Sequence, residues 1–387
     1  MKILHLIDSG GLYGAEMALL ALAEAQQAAG LRAEIGVIAP DADTVKPVEA
    51  AARERGIATR RIVVAPGIRF GGARRIANAV GSAAPDLLHT HGYKADILGI
   101  RSARQAQARP VVATAHGFTH SGRWSRVALY EALDRHVLRQ ADAVVAVSSA
   151  LRERLVATGI AGARCHLVHN GLPAQGATQA GTAAMPDLDR VIAFCKAAPT
   201  FCGIGRLSRE KDFATLLDGF AQAARSAPEI RLLLLGDGEL REPLVARASA
   251  LAIAERVLMP GYLPAEHVLP HVQALVMCSL TEGLPIALFE AMRARVPVIT
   301  TPVGGIPELL GPEVCARVIA PGRPEELALA LHEVAARGPQ VLARVQQAYQ
   351  RFTAEFSASR MERRYAAVYD AACRQFQREG RAAPSLQ

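Results

Sequence analysis

Short apolar runs alternate along the chain with longer stretches in which apolar residues recur at helical spacing. Helix-like stretches such as Ala15–Ala29, Ala73–Ala83 and Tyr130–Arg139 lie between several of the apolar runs. Apolar strands separated by helices are typical of a parallel sheet covered on both faces. The strands predicted in the first half are Ile3–Ile7, Ala33–Ile38, Ile62–Val64, Leu87–Thr90, Val111–Ala115, Ala143–Val147 and His166–Val168.

The same alternation starts again in the second half, which predicts two doubly wound α/β domains in tandem. The later strands are Thr200–Gly203, Arg231–Leu235, Val257–Met259, Ala274–Cys278, Pro297–Thr300 and Cys315–Ile319. After Asn170-Gly171 the chain is rich in small and turn residues. We therefore expect Rossmann-like domains at 1–170 and 200–352, joined by a linker at 171–199. Apolar residues from Phe352 to Phe376 recur every three to five positions, which predicts one amphipathic C-terminal helix over 353–378.

Composition agrees with large buried cores. The chain has 387 residues, of which 51% are hydrophobic and 21% charged. No apolar stretch approaches the roughly 18 residues of a membrane span, and the N-terminal segment becomes acidic at Asp8, too early for a signal peptide. The six cysteines form no C-x-x-C pair, so we expect reduced thiols and a cytoplasmic protein.

The net charge of +8 is concentrated in the first half of the chain. Residues 1–180 carry 21 Lys and Arg against 14 Asp and Glu, whereas the remainder is nearly balanced. An anionic partner could be a phospholipid surface, a phosphate-bearing substrate or a nucleic acid, and a dispersed solvated arginine face fits equally well. Only 5% of residues are aromatic, and no basic run is interleaved with them, which argues against nucleic acid.

Glycine-rich turns follow the first strand of each predicted domain. Gly10, Gly11 and Tyr13 lie between strand and helix, where glycine permits close backbone approach to a phosphate. The pattern G-G-x-x-G differs from the dinucleotide fingerprint, although Asp41 after the second strand could serve as a ribose acid. A tight turn without a ligand explains the glycines as well.

In the second domain, Arg206 and Lys211 flank the turn that follows Gly205. Two cations beside a helix start form a clamp for a diphosphate leaving group, and a solvated basic turn is the alternative. Gly236 ends the next strand in another glycine-rich turn, which could approach a base or ribose.

Two acidic residues eight positions apart mark the most informative segment. Glu282 lies in a loop after a strand, and Glu290 lies along the helix that follows. Helix caps and surface ion pairs also explain either glutamate. Pro285 suits the first turn of that helix, so Gly283, Leu284, Pro285 and Ile286 lie at the positive end of its dipole. The spacing favours two contacts on one extended ligand, with a phosphate near the helix start.

Three blocks in this order resemble the retaining glycosyltransferases of family 4. They are Gly-Arg-Leu-Ser-x-Glu-Lys at 205–211, E-G-L-P-I-A-L-F-E at 282–290 and Pro-Val-Ile-x-x-Pro-Val-Gly-Gly-Ile-Pro-Glu at 297–308. The resemblance implies a GT-B fold, in which two Rossmann-like domains face a cleft and the last helix crosses back to the first domain. This chain departs from the family at Arg295, where a glycine is usual.

The resemblance also implies roles for individual residues. Glu290 would take the ribose hydroxyls, Arg206 and Lys211 the diphosphate, and Glu282 the donor sugar. His116, in Thr-Ala-His-Gly after a strand, matches the histidine beside that sugar, with Glu282, Arg206 and Lys211 as its catalytic partners. The further donor contacts would be Gly10, Gly11, Gly205, Gly236, Gly283, Leu284, Pro285 and Ile286, and the acceptor contacts Tyr13, His91 and Ser148, the last of which could instead be a helix cap.

The implied reaction is the retaining transfer of a sugar from a UDP- or GDP-linked donor to an acceptor hydroxyl. It needs no metal and no cofactor, and the motifs Asp41-Ala-Asp43 and Asp187-Leu-Asp189 are not expected to bind one. The acceptor would be a glycan or a lipid-linked oligosaccharide in bacterial surface or exopolysaccharide synthesis. The basic first half would then face the inner surface of the cell membrane.

Three other functions remain open. A nucleotide-sugar 2-epimerase of similar fold would release UDP-sugar isomers without needing an acceptor, but its usual pattern lacks the E-x7-E block. A non-catalytic nucleotide- or glycan-binding relative would be expected to lack Glu282, Arg206 or Lys211, all of which are present. A nicotinamide-dependent oxidoreductase would need the dinucleotide fingerprint.

Overall fold

The computed structural model describes residues 1–65, 70–106, 109–117, 133–174, 186–311 and 315–379. The chain divides into two compact units, one formed by Met1–Pro173 with the segment from Ala358 onward, the other by Ala174–Ser357. Each unit contains its own parallel sheet with helices packed against it. The predicted architecture of two parallel-sheet α/β domains is confirmed.

Seven parallel strands are described in the first unit, in the order β3-β2-β1-β4-β5-β6-β7. The order reverses between β1 and β4, and ligands of doubly wound sheets bind outside the carboxyl ends of the strands at such a point. Residues 133–138 are also helical. The labelled elements are β1 (Lys2–Ile7), α1 (Gly14–Ala28), β2 (Arg32–Ala39), α2 (Pro47–Glu54), β3 (Ala58–Val63), α3 (Phe70–Ala83), β4 (Leu87–His91), α4 (Tyr93–Ala106), β5 (Val111–Ala115), β6 (Ala143–Ala146), α5 (Ser149–Ala157) and β7 (Cys165–Leu167).

The second unit repeats this plan, and its described strands follow the order β10-β9-β8-β11-β12-β13, with the reversal between β8 and β11. Its core is built on fully buried side chains such as Phe201, Phe220 and Leu234. The elements are α6 (Pro186–Ala197), β8 (Thr200–Ile204), α7 (Phe213–Ala223), β9 (Arg231–Leu235), α8 (Arg241–Ala250), β10 (Val257–Gly261), α9 (Ala265–Val268), β11 (Ala274–Met277), α10 (Ile286–Arg293), β12 (Val298–Thr300), α11 (Ile306–Leu310), β13 (Arg317–Val318), α12 (Pro324–Ala335) and α13 (Pro339–Glu355).

The C-terminal segment differs from the single helix that its apolar spacing predicts. Helix α13 ends at Glu355, and a separate helix, α14 (Ala358–Arg378), belongs to the first unit. Phe356 leaves helical geometry and packs edge-on against Phe289 at 5.1 Å. Apolar spacing does not show this break, because both helices keep an apolar face on either side of it.

The stretch assigned above to the linker also contains structure. Residues 186–197 form α6, in which Val191 and Cys195 are buried. Among the described residues, no helix is both long enough and apolar enough to cross a bilayer.

Candidate functional site

The loops at the carboxyl ends of the second sheet are joined by backbone hydrogen bonds. The amide of Leu280, after β11, donates to the carbonyl of Glu210, after β8, at 2.9 Å. The amide of Gly305, after β12, donates to the carbonyl of Gly283 at 2.9 Å. Residues that are distant in sequence are therefore fixed in one layer at the edge of the sheet.

Glycines make this close packing possible. Gly236 has φ +134°, and a Cβ there would overlap the carbonyl oxygen of Gly205. Gly304 has φ +57°, and a Cβ there would overlap the carbonyl oxygen of Glu282. Gly236, predicted as a donor contact, thus has a packing reason of its own, and Gly304 supports the loop that carries Glu282.

Glu282 is the centre of a small polar cluster. Its Oε1 accepts hydrogen bonds from Lys211 Nζ at 2.5 Å and from Ser279 Oγ at 2.6 Å. The carbonyl of Ser279 in turn accepts a hydrogen bond from Thr301 Oγ1 at 2.6 Å. The carboxylate side chain is 7% exposed, so its charge is balanced by the lysine in a largely desolvated place.

Sequence reasoning missed Ser279, whose position three residues before Glu282 in the loop is its only sequence signal. Arg206, the other predicted cation, pairs with Glu210 at 2.6 Å and is about half exposed. The structure therefore brings Lys211 and Glu282 into contact and leaves Arg206 at the surface of the same loop.

Helix α10 follows this cluster directly. Pro285 is its N-cap, one position earlier than the first-turn place predicted for it, and the leading amides of any helix have no intrahelical acceptor. Glu290 lies on α10, and burial raises its pKa to about 7. Arg293 opposes this shift and Glu266 reinforces it.

In the first unit, the predicted glycine loop is held by short-range hydrogen bonds and by two lysines. Ser9 Oγ donates to the carbonyl of Gly11 at 2.5 Å, and Tyr13 is the 58%-exposed N-cap of α1. Lys46 Nζ donates to the carbonyl of Ser9 at 2.7 Å, and Lys94 pairs with Asp8 at 2.9 Å. The two lysines come from other elements, and for this reason local sequence did not reveal them.

Gly10 has open space around it, and a Cβ there would meet nothing within 4 Å. Asp41 accepts hydrogen bonds from the backbone amides of Asp43 and Thr44, so this D-x-D motif forms a turn. Ser148 accepts a hydrogen bond from the amide of Leu151 at 3.3 Å and caps α5. This capping role is sufficient to explain a serine at position 148 without an acceptor contact.

Four histidines converge at β1, β4 and β5. His116 Nε2 lies 3.2 Å from His91 Nδ1, and His91 Nε2 lies 3.1 Å from His5 Nδ1. His89 contacts Tyr369 of α14 at 3.0 Å and Thr114 at 2.7 Å. Burial lowers the pKa of His5 and of His116 to about 4, so both imidazoles are neutral at pH 7.

One ring nitrogen from each of His5, His89 and His91 lies within 4.8 Å of the other two, as in a metal centre. All six ring nitrogens of these residues, however, already have a hydrogen-bond partner in the protein. The cluster is therefore explained as a hydrogen-bond network. His91, predicted as an acceptor contact, is 3% exposed and uses both nitrogens within this network.

Two family models match the two halves of the chain. Residues 13–175 match Glycosyltransferase Family 4, and residues 186–351 match Glycosyl transferases group 1. The chain belongs to glycosyltransferase family 4. The second match contains the Lys211–Glu282 pair and α10, and the first contains His91 and His116.

Curated relatives of this family 4 chain include a lipopolysaccharide galactosyltransferase and a polysaccharide biosynthesis protein. The lipopolysaccharide 1,6-galactosyltransferase of Salmonella typhimurium is 28% identical over 51% of this chain and 54% of its own length. The Vi polysaccharide biosynthesis protein VipC/TviE of Salmonella typhi is 36% identical over 28% of this chain and 19% of its own length. The matched segments thus span from about a fifth to about half of these relatives.

Among solved structures, that of Anabaena HepE in complex with UDP-glucose superposes with a TM-score of 0.79 at 21% identity. It covers 96% of this chain, and the chain covers all of it. Sucrose-phosphate synthase from Thermosynechococcus elongatus has a TM-score of 0.77 at 18% identity over 96% of this chain and 98% of its own. At these identities the likeness establishes the GT-B fold.

Proposed function

We propose that this protein is a retaining glycosyltransferase that transfers a sugar from a nucleotide-diphosphate donor to an acceptor hydroxyl with an α-linkage. The observation that carries the proposal is the Lys211–Glu282–Ser279 cluster directly before the start of α10. The lysine and the helix N-terminus attract the anionic diphosphate of a nucleotide sugar, and the desolvated carboxylate accepts hydrogen bonds from its sugar hydroxyls. All three groups lie within one layer.

Lys211 and Arg206 are assigned to the diphosphate. In the structure each cation is paired with a glutamate. A diphosphate would compete for both cations and leave Glu282 free to accept hydrogen bonds from sugar hydroxyls. Lys211 would then stabilise the charge that develops on the leaving nucleoside diphosphate, and the amides at Gly283 to Ile286 would add to this.

Glu290 is assigned to the ribose, because a carboxylate can accept hydrogen bonds from both ribose hydroxyls. The solved complex of Anabaena HepE with UDP-glucose supports a nucleotide sugar as the donor class. The relatives in lipopolysaccharide and Vi polysaccharide synthesis support a surface glycan as the acceptor. The two cations take the place that a metal ion would have in neutralising the leaving group.

Replacement of the lysine tests the proposal. In Lys211→Ala we expect turnover to fall by about 10² or more, the range for removal of one group that stabilises developing charge. The exposed Lys196, which lies on α6, provides the matched control Lys196→Ala, and that variant should keep full turnover. Equal rates in the two variants would reject the diphosphate assignment.

A thermal-shift panel with UDP, GDP, ADP and CDP should come before these assays. A preferred nucleotide should raise stability by about 1–3 kcal/mol at saturation, because stabilisation grows with the logarithm of ligand over Kd. Conversion of the donor into an isomeric nucleotide sugar, with no acceptor product, would identify an epimerase. Inversion of the anomeric configuration in the product would contradict retention.

A further inference from the structure

A continuous chain of hydrogen bonds connects α1 with His116. Gln26 Oε1 lies 2.8 Å from His5 Nε2, and His5 Nδ1 lies 3.1 Å from His91 Nε2. His91 Nδ1 then lies 3.2 Å from His116 Nε2. Gln26, His5 and His91 are at most 3% exposed, so water does not compete along the chain.

Each imidazole in this chain is neutral, because burial lowers the pKa of His5 and His116 to about 4 and that of His91 well below its usual value. A neutral imidazole has one nitrogen that donates and one that accepts. The group at one end of the chain, by accepting or donating, therefore decides the direction of every later hydrogen bond.

The direction follows from the amide of Gln26. Its Nε2 donates to the hydroxyl of Tyr369 at 2.8 Å, so its Oε1 faces His5 and can only accept. His5 must then carry its proton on Nε2 and accept from His91 through Nδ1. By the same step, His91 is protonated on Nε2 and accepts from His116, which leaves the proton of His116 on Nε2 and a lone pair on Nδ1.

A second branch runs away from the amide, because here Gln26 is the donor, whereas in the first branch it accepts. The hydroxyl of Tyr369 receives the Gln26 amide proton and donates its own to His89 Nδ1 at 3.0 Å. His89 then donates from Nε2 to Thr114 Oγ1 at 2.7 Å. Tyr369 lies on α14 and Gln26 on α1, so two helices orient the amide from which both branches begin.

We propose that Gln26 is a positioning residue that holds His116 in the Nε2-protonated tautomer, so that Nδ1 accepts a hydrogen bond from a sugar hydroxyl. Within the described part of the chain, His116 Nδ1 is buried and has no hydrogen-bond partner. The role toward the sugar rests on the proposed glycosyltransferase activity, whereas the tautomer itself does not.

The tautomer determines what His116 offers a ligand. With the lone pair on Nδ1, a hydroxyl must donate its proton to the ring, and its oxygen keeps both lone pairs for other contacts. With the opposite tautomer, the same nitrogen would donate. A fixed tautomer therefore selects the orientation of the bound hydroxyl before the ligand arrives, which lowers the cost of ordering it.

Long-range 1H–15N spectra of ligand-free protein, labelled with 15N only in its histidines and recorded at pH 7.5, test the tautomer directly. We expect His116 to show a protonated Nε2 and an unprotonated Nδ1, and His5 and His91 to show the same pattern. A proton on His116 Nδ1, or on both of its nitrogens, would overturn the proposal.

Gln26→Leu tests the role of the amide, because leucine leaves His5 Nε2 without an acceptor. The spectra of this variant should show both tautomers at His116, and kcat/KM for sugar transfer should fall by about 3- to 10-fold, the value of one hydrogen bond. Gln27→Leu makes the same change at the exposed neighbouring position and should alter neither measurement.

Tyr369→Phe provides a second variant in case Gln26→Leu does not fold. It removes only the hydroxyl that orients the amide and should also produce mixed tautomers at His116. A single unchanged His116 tautomer in either variant that folds would reject the role of Gln26. If the unsubstituted protein shows the expected tautomer but transfers no sugar from any nucleotide sugar, the proposed function is rejected and the role of Gln26 in setting the tautomer stands.

Discussion

At the scale of single residues, two side chains of the second unit occupy positions that their type rarely takes. Glu290 is a partly buried carboxyl whose pKa is raised to about 7. Arg295 has φ +55°, in the left-handed region that favours glycine. Each of these departures leads to a measurable consequence.

The raised pKa of Glu290 predicts that nucleotide affinity depends on pH. Only the carboxylate can accept from two ribose hydroxyls, so affinity for the preferred nucleoside diphosphate should rise by up to roughly 10-fold between pH 6 and pH 8. Calorimetric titration at several pH values measures this. Glu290→Gln is the control, since it retains the titration of the nucleotide phosphate, and parallel pH curves in the two proteins would contradict the ribose assignment.

Arg295 stands where the family usually has glycine, and its guanidinium lies 4.0 Å from the ring centre of Tyr349. Arg295→Ala retains the backbone strain and removes this contact, whereas Arg295→Gly relieves the strain. We expect the glycine variant to exceed the alanine variant by about 1 kcal/mol in free energy of unfolding. Urea denaturation compares the two, and equal stability would show that the position is unstrained.

At the scale of elements, the loops of the second unit are packed backbone against backbone. Gly236 contacts the loop after β8, and Gly304 contacts the loop after β11. The contacts join elements that lie far apart in the chain, so the site loops depend on one another for their shape. Replacement of a glycine at such a contact should therefore destabilise the fold by more than backbone strain alone would.

Gly236→Ala and Gly322→Ala separate these two effects. Both glycines have positive φ, but a Cβ at Gly322 would meet nothing within 4 Å, whereas one at Gly236 overlaps the carbonyl of Gly205. We expect Gly322→Ala to lower the free energy of unfolding by about 1 kcal/mol, and Gly236→Ala to lower it by at least about 2 kcal/mol more. Chemical denaturation measures both, and similar costs would mean that the loop moves aside easily.

At the scale of the whole molecule, each unit is organised around its own sheet. The first unit has the unusual feature of three buried histidines, His5, His89 and His91, which contact the half-buried His116 and side chains of α1 and α14. Desolvation lowers the pKa of all four, and neighbouring histidines lower those of His89 and His91 further. Their neutrality therefore links the stability of this unit to pH.

The sign of this linkage is fixed by the direction of the shifts. The folded pKa values lie below the unfolded value of about 6.5, so the stabilisation is present above pH 6.5 and is lost as the pH falls toward 4. Each histidine contributes a slope of about 1.4 kcal/mol per pH unit in this window. When the free energy of unfolding is measured in urea across pH 4–7, its slope against pH should exceed the value for the uptake of one proton.

Replacement of single histidines checks the source of that slope. His116→Asn should reduce it by close to one proton, because asparagine does not titrate. A slope in His116→Asn that equals that of the unsubstituted protein would place the acid sensitivity elsewhere in the protein.

The sequence by itself determined the α/β alternation, the two sheets and the order of the family motifs, because burial on both faces leaves a local apolar signal in every strand. It also predicted Lys211 and Glu282, although not that they form an ion pair across 71 positions. Tertiary structure decided the rest. Strand register pairs His5 with His89 and His91 with Thr114, and Phe356 leaves the helix to pack on Phe289. Such contacts depend on which distant segments become neighbours in the fold, and the local spacing of apolar residues does not determine this.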